Sequence, residues 1–282
     1  MAIKLSVVIG TYNQKEKLKA VLESLFRQTL APALYEIIVV DSSSIDGTDQ
    51  MVKSYDPAPV ILKYIKVENR GKPAARNRGI DEAHGEIILL TDADMIADPN
   101  LLLEHAKAHK KHENAAFEGM TINPDQRPYI KEKLKAGQKL KFSYFLSGNL
   151  SIKKKTLIDA GKFDPDFRGY GWEDIELGYR MAKQKVPLYY LPAAVNKHDH
   201  ETSCEDLFKR KFEMGRSAAI FLKKHPGLEI RYYLGLNPVA VFVYNFIKKR
   251  PGLIKYITDR ANNSNFFRYI LEEFNYRKGL EA

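Results

Sequence analysis

The 282-residue chain has a single cysteine, Cys204, which excludes an internal disulfide framework and any metal site built from several thiolates. Outside any catalytic cysteine signature, such a residue reads first as structural. Long apolar runs are absent as well. The nearest approach, Leu234 to Ile247, falls short of the roughly 18 residues that a bilayer span needs and is interrupted by Asn237 and Pro238. Met1-Ala2-Ile3-Lys4 leads straight into strand-like sequence, without the charged and apolar pattern of a secretory leader, so the expectation is a cytoplasmic protein. No G-x-G-x-x-G follows the first strand, and no G-x-x-x-x-G-K-S/T occurs anywhere. An ordinary dinucleotide site and a P-loop are therefore disfavoured.

What is present is a globular composition, 44% apolar and 11% aromatic, in a chain long enough to bury a large core. The net charge of +10 is uneven: residues 201–282 hold 15 Lys/Arg against 9 Asp/Glu, a net +6, and 14 of the aromatic residues. We expect a catalytic domain over 1–200 and a basic, aromatic helical extension over 201–282. Thr202 or Ser203 can cap a first helix of that extension, with Leu207, Phe208, Phe212, Ala219 and Leu222 as its apolar stripe. Beyond it, Tyr232, Tyr233, Phe242, Tyr244 and Phe246 precede Lys248-Lys249-Arg250. This mixture suits a membrane surface, an anionic glycan acceptor or a solvated helical cap. Peripheral contact with the inner membrane face is the reading favoured, and no nucleic-acid partner is expected.

The first hundred residues alternate between strands and helices. Leu5 to Ile9 and Ile87 to Leu90 are short apolar runs, the first rich in β-branched residues, and Tyr35 to Val40 and Val60 to Val67 read as two further strands. Between the first two lies a helical pattern, Leu18, Val21, Leu22, Leu25 and Phe26, preceded by Asn13 and Glu16 at a spacing related to a capping box. Pro73 suits the first turn of a helix ending near Gly85. Such alternation implies βαβ crossovers and a mostly parallel sheet, in which ligands bind beyond the carboxyl ends of the strands. Thr11, Asp41 and Asp92 all fall there.

The fourth strand runs into Thr91-Asp92-Ala93-Asp94. Two carboxylates at the end of a buried strand are costly unless paired or bound to a cation. Mg²⁺ or Mn²⁺ accepts such oxygens and leaves positions open for substrate phosphates. Alternatively, the Asp-x-Asp is a turn that caps the next helix. Further along, strands are expected at Ala115 to Ile122, Asn149 to Ile152 and Leu188 to Leu191. A glycine-rich approach leads to Trp172-Glu173-Asp174 at a helix start. Carboxylates there are favoured by the helix dipole, or one of them serves as a general base toward an acceptor hydroxyl.

Taken together, Val7-Val8-Ile9-Gly10-Thr11-Tyr12-Asn13, Val39-Val40-Asp41 with Asp46-Gly47-Thr48, Ala75-Arg76-Asn77-Arg78-Gly79, Asp92-Ala93-Asp94 and Gly171-Trp172-Glu173-Asp174-Ile175-Glu176 resemble the family 2 glycosyltransferases of the GT-A fold. The likeness spans roughly residues 3 to 200. Its Trp-Glu-Asp stretch is similar to that of chondroitin-type polymerases and β-1,4-galactosyltransferases. Gly10 departs from the family's usual proline, and both residues serve a turn.

The resemblance implies an α/β, Rossmann-like nucleotide-sugar-binding fold with a mostly parallel central sheet and a helical C-terminal extension. It implies an inverting hexosyltransferase that uses Mn²⁺ or Mg²⁺, a nucleoside-diphosphate sugar (UDP-linked) and a glycan or lipid-linked acceptor. Thr11, Tyr12, Asn13 and Asp41 would hold base and ribose, and Arg70 and Arg76 would lie near the phosphates. Asp92 would contact ribose or metal. Asp94 would be the main metal ligand, joined by His198 before His200, although an exposed pair of loop histidines reads the same in sequence. Ser147, Gly148 and Asn149 would line the donor sugar. Asp174 would be the catalytic base, with Glu173 and Trp172 beside it at the sugar or acceptor. Two alternatives remain open: a nucleotidyltransferase using the same aspartates, and a non-catalytic sugar-binding module.

Overall fold

The computed structural model describes residues 3–130, 133–199 and 204–282, apart from the side chains of 204 and 205. Two compact units emerge, one comprising Met1–Pro165 with Asp174–Glu201 and the other Asp166–Glu173 with Thr202–Ala282.

In the first unit the order is β1 (Leu5–Thr11), α1 (Lys15–Leu25), β2 (Tyr35–Asp41), α2 (Thr48–Lys53), β3 (Ile61–Lys66), α3 (Lys72–Glu82), β4 (Ile87–Asp92), β5 (Met95–Ala97) and α4 (Leu101–Lys111). Then come β6 (Ala116–Ile122), β7 (Lys139–Leu140), β8 (Asn149–Lys153), α5 (Lys154–Asp159), α6 (Glu173–Lys183) and β9 (Leu188–His198). One sheet holds these strands in the order β3-β2-β1-β4-β8-β6-β9-β5, with β7 paired to β9. Strands β1 to β4 are mutually parallel, as the βαβ pattern requires. The remainder is mixed: β8 runs antiparallel to both β4 and β6, while β6 and β9 are parallel. Parallel pairing therefore stops at β4, because β8 enters beside it without a crossover helix of its own.

Both faces of β1, β2 and β4 are covered, which is why these strands read as nearly continuous apolar runs, whereas β3, at the sheet edge, carries Lys63 and Lys66 and is only partly buried. On one face Leu5, Val7 and Ile9 pack with Leu18, Val21 and Leu22 of α1. On the other, Val8, Ile38 and Val40 meet Ala75 and Ile80 of α3, together with Leu150 of β8. The capping reading of Asn13 is corrected here. Gln14 occupies the N-cap of α1 without a side-chain cap, while Asn13 adopts φ +50° and its Oδ1 accepts from the Ile45 N–H at 2.9 Å. Asp46 takes over at the helix end, accepting from the Lys15 N–H at 2.9 Å.

A buried polar chain ties α4 to β8. Its direction follows from Asn149, whose Nδ2 donates to the carbonyls of Met120 and Ala194 (3.2 and 3.0 Å), leaving Oδ1 as an acceptor. His105 must then donate from Nε2 to Asn149 Oδ1 (2.9 Å) and accept at Nδ1 from Ser151 Oγ (2.8 Å). Ser151 in turn accepts from His109 Nε2 at 2.9 Å. Each imidazole carries one proton, and burial pushes His105 down to about 4 and His109 to about 3. Because these values lie below the unfolded histidine value of about 6.5, the unfolded chain binds more protons on acidification. The melting temperature should hold above pH 7 and fall steeply from about pH 6.5 toward pH 4, at about 1.4 kcal/mol per unit of pKa depression. A thermal-melt series against pH measures this, and His109→Gln should flatten the slope. An unchanged slope in that variant would mean that the histidine titrates as it does in the unfolded chain.

The second unit carries α7 (Cys204–Lys224), α8 (Leu228–Tyr233), α9 (Pro238–Lys248), α10 (Pro251–Ala261) and α11 (Asn265–Leu280). Thr202 and Ser203, the expected caps of α7, lie outside the described residues. The stripe expected on α7 is also revised. Gly215, Ser217, Ala218 and Phe221 are its buried positions, whereas Leu207, Phe208, Phe212, Ala219 and Leu222 are half-buried. Small residues set this face because α7 and α11 approach backbone to backbone. A Cβ on Gly215 would collide with the Tyr276 carbonyl oxygen, and one on Gly279 with that of Phe212. Helix propensity alone favours alanine over glycine by about 1 kcal/mol. Overpacking against rigid backbone should reverse that sign, so Gly215→Ala is expected to lower stability by about 1–3 kcal/mol in urea unfolding. A stabilised variant would refute the close crossing.

Candidate active site

Register places the polar strand ends side by side. The β1–β2 pairing sets Thr11 opposite Asp41, and the β1–β4 pairing sets Gly10 opposite Asp92. Since the chain steps outward from β1 to β3 and then returns to β1's other side with β4, this rim is a topological switch point, where open α/β sheets bind ligands.

At the rim, Asp41 is fully buried and heavily bonded. Its Oδ1 accepts from the Ser44 N–H and hydroxyl at 2.8 and 2.6 Å, and its Oδ2 from the Tyr64 hydroxyl at 2.6 Å. This holds the loop after β2 in a defined shape. Thr11 is buried with its Oγ1 unpartnered, an orphan polar atom of the kind a ligand satisfies. Tyr12 is half exposed next to it in sequence. Arg70 lies at the surface and pairs with Glu68 at 2.7 Å.

Asp92 receives Arg76 Nη2 at 2.8 Å and Lys72 Nζ at 3.8 Å, both from the first turns of α3. Burial by itself would raise this carboxyl; the charges of Lys72 and Arg76 outweigh it and hold Asp92 below the usual carboxylate range. Arg76 is almost wholly buried, with its guanidinium 5.3 Å from the centre of the Phe163 ring. The result is a fixed cationic edge beside the carboxyl end of β4.

Two residues after Asp92, the chain turns into β5, whose antiparallel register sets Met95 opposite His198 of β9. That pairing carries His198 to Asp94: Nε2 lies 3.5 Å from Asp94 Oδ2, and the Asp199 N–H donates to the Asp94 carbonyl at 2.8 Å. Asp94 and His198, 104 positions apart in sequence, are thus brought together. His200 lies outside the described residues. Among the described residues no group of three or more His, Cys, Asp or Glu side chains converges on one point. A carboxylate and an imidazole nevertheless form a donor set suited to Mn²⁺, with room left for non-protein oxygens.

Ser147, Gly148 and Asn149 divide their roles. The N–H and hydroxyl of Ser147 both face Asp174 Oδ2 at 3.4 Å, while the Ile175 N–H donates to Asp174 Oδ1 at 2.8 Å. The Gly148 carbonyl accepts from Thr91 Oγ1 at 3.0 Å and Asn196 Nδ2 at 2.7 Å, knitting β4 to β9. Asn149 is buried, and its side chain closes the histidine chain through His105 and the carbonyls of Met120 and Ala194. In the second unit, Trp172 has φ +72° and packs edge-on against Phe221 and Tyr233, with its indole N–H buried and unpartnered. Glu173, the next residue, is buried at the start of α6.

Sequence reasoning missed Glu118. It sits fully enclosed on β6 and accepts from the Leu146 N–H at 3.1 Å. Burial pushes it well above the usual carboxylate range, and the charge of Asp174 adds to the rise. The available signal was an acidic residue inside an otherwise apolar strand. His105 and His109, four apart on one helix face, were a second signal of the same kind.

The comparisons with known proteins agree with this architecture. The family model described as Glycosyl transferase family 2 matches residues 6–165. The chondroitin synthase of Escherichia coli is 26% identical, over 72% of this chain and 35% of its own length. Two other curated relatives are spanned over 67% and 60% of their lengths. Among solved structures, the mannosyltransferase PcManGT from Pyrobaculum calidifontis, in complex with GDP-Man and Mn²⁺, has a TM-score of 0.70 at 19% identity, covering 100% of this chain and 86% of that one. Staphylococcus aureus TarS 1-349 in complex with UDP has a TM-score of 0.62 at 18% identity, with 99% and 90% covered. These two likenesses establish the fold. With more than half of its length matched by the family model and a rim of polar strand ends at the switch point of a GT-A sheet, the chain belongs to glycosyltransferase family 2 and is a glycosyltransferase.

Proposed function

We propose that this glycosyltransferase is metal-dependent and inverting, and that it moves a hexosyl group from a nucleoside-diphosphate sugar, with uridine as the base, to a hydroxyl of a glycan or lipid-linked acceptor. The observation that carries this reading is the meeting of Asp94 and His198 beside the Lys72–Arg76 edge. A metal-binding pair and two cations suit a diphosphate, whose charge must be neutralised before it can leave. The Mn²⁺ in the Pyrobaculum mannosyltransferase and the UDP in TarS support the choices of metal and base.

In this reading Asp94 and His198 hold Mn²⁺ or Mg²⁺, with Asp92 as a neighbour to ribose or metal and His200 as the alternative imidazole. Held there, such an ion would supply a positive charge to offset the negative charge developing on the departing diphosphate. Thr11, Tyr12, Asn13 and Asp41 take the base and ribose, the first through its unpartnered hydroxyl. Arg70 and Arg76 lie toward the phosphates. Ser147 and Gly148 line the sugar, and Ser147 positions Asp174 as well. Asp174 accepts the proton of the acceptor hydroxyl as its oxygen attacks the anomeric carbon from the face opposite the nucleotide. The carbon–oxygen bond to the diphosphate breaks with the electron pair leaving on the diphosphate, and one displacement inverts the centre. Glu173 and Trp172 are assigned to the sugar or acceptor. Residues 1–200 form the catalytic part and 201–282 serve partner contact.

A coupled assay for released nucleoside diphosphate, run over a panel of nucleotide sugars with and without Mn²⁺, tests the reading. Asp94→Ala should remove most turnover and weaken donor binding in Mn²⁺, and wild-type activity there would sink the site assignment. His198→Ala should raise the metal concentration needed for half-maximal rate; if His200→Ala does so instead, the ligand is reassigned. Asp174→Asn keeps the shape but removes the base, so turnover should drop by about 10²- to 10⁴-fold while donor affinity survives. Equal loss of donor binding would make Asp174 structural. Pyrophosphate in place of nucleoside diphosphate as product would identify a nucleotidyltransferase.

A further inference from the structure

Helix α9 is built inside out at one face. Val239, Phe242, Val243 and Phe246, spaced 3, 1 and 3 residues apart, form one helical stripe and stand 73%, 69%, 47% and 44% exposed. The opposite side is ordinary core, with Tyr244 and Ile247 buried and Ile247 packed in a cluster with Ile257, Ala261 and Leu271. The helix is well made: Pro238 occupies its first turn, and Asn237 Oδ1 accepts from the Ala240 N–H at 2.9 Å. Exposure of the stripe is therefore a property of a formed helix, whose apolar face is turned outward within its unit.

Charge selects the occupant. From Ile230 to Thr258, 29 residues, the sequence contains no Asp or Glu, yet it holds Arg231, Lys248, Lys249, Arg250 and Lys255. All five are exposed, and Lys248 is at the same time paired with the Glu281 carboxylate at 2.5 Å, which leaves Arg231, Lys249, Arg250 and Lys255 as the cations of the stretch whose charge no acidic residue within it offsets. Lys248, Lys249 and Arg250 stand at the C-terminal end of α9, where the helix dipole favours cations. The Arg250 guanidinium lies 3.6 Å from the centre of the Phe246 ring, so the last apolar residue of the stripe and the last of the three cations form one amphipathic edge. Tyr232 and Tyr256, on the flanking helices, are exposed aromatics of the type that settle at a lipid headgroup boundary. At 11 residues α9 is about 16 Å long, and no described helix is long and apolar enough to cross a bilayer. Such a helix lies in the plane of the interface.

We propose that the exposed face of α9, with the cations that follow it, docks on an anionic lipid bilayer, the rings and aliphatic side chains entering the headgroup boundary and Lys248, Lys249 and Arg250 facing the phosphates. The inference rests on residues outside the proposed chemistry and holds for any donor sugar. It narrows the acceptor to a hydroxyl presented at or near a membrane surface.

Sedimentation of the full chain with vesicles of phosphatidylcholine and phosphatidylglycerol, against vesicles of phosphatidylcholine alone, tests it. The protein should pellet with the anionic vesicles at low salt and be released as salt approaches 0.5 M, because screening shortens the reach of the charges to a few ångströms. The triple change Lys248→Gln, Lys249→Gln and Arg250→Gln should lower partition on the order of 10²-fold, each lost cation counting about fivefold. Phe242→Ser with Phe246→Ser should abolish binding even at low salt, with Val239→Ser and Val243→Ser as a second pair if the first perturbs folding by circular dichroism. Nucleoside diphosphate release into water should be unchanged in each variant, which separates this face from the transfer site. Failure of the wild-type chain to bind anionic vesicles at low salt would overturn the proposal. So would equal binding by the glutamine variant, or self-association that the serine pair abolishes in a chain that ignores vesicles, since the face would then belong to a second copy.

Discussion

A buried guanidinium has to be paired, and in the catalytic half of this chain that requirement locks a helix to a strand end. Arg76 reaches Asp92 from α3 while remaining almost wholly out of solvent. Breaking a buried pair by removing one partner leaves a desolvated charge, at a cost of about 3–5 kcal/mol where burial is complete. Asp92 retains a quarter of its side-chain exposure, so the cost here is smaller, but the geometry it imposes is the same. The carboxyl end of β4 is thereby fixed against the first turns of α3. Once Asp92 is held in this way, the two residues that follow it can be steered independently.

That steering comes from strand pairing over long sequence distances. The short strand β5 pairs with the far end of β9 and delivers His198 to Asp94. The pairing of β6 with β9 shifts register between Gly119 and Met120, and there the Asn149 side chain enters to satisfy two carbonyls. A side chain on Gly119 would strike that carboxamide, so the bulge, the glycine and the buried amide form one arrangement. Neutral His105 and His109 complete it. A polar network of this kind is stabilising only when every member is satisfied, and its one open position is the second ring nitrogen of His109. Behind the rim, the same dry surroundings push the Glu118 carboxyl well above the usual carboxylate range.

The catalytic half was legible because its grammar is local. Strands β1, β2 and β4, covered on both faces, are written as nearly continuous apolar runs, and these and the edge strand β3 were found within a residue or two of their observed ends. Strand-end residues followed from the same grammar: Thr11, Asp41 and Asp92 came out at one rim because parallel strands place their carboxyl ends together. Less legible were β5 and the second half of β9, whose short or mixed sequences carry little periodicity. The bonding of the Asn149 side chain to His105 was not legible either, because a strand residue's direction depends on register, and a shift of one position exchanges the two faces. The apolar stripe of α7 was misread for a related reason. Hydrophobicity marks large buried residues, whereas the α7–α11 crossing is made by glycines at which backbones touch.

By itself, then, the sequence determined the residue types and the alternation of strands and helices from β1 to β4, and with them a family 2 glycosyltransferase whose polar strand ends share one edge. These are consequences of short-range patterning, in which each strand's ends are set by its own residues. Only the tertiary structure decided which residues meet across the chain. Asp94 with His198, Ser147 with Asp174 and Glu118 behind them depend on the pairing of strands far apart in sequence. Exposure on α9 was decided in the same way. The helix carries apolar residues on more than one face, and its neighbours in the fold cover only the side of Tyr244 and Ile247. A sequence records how apolar a helix is; packing alone selects the face left to solvent.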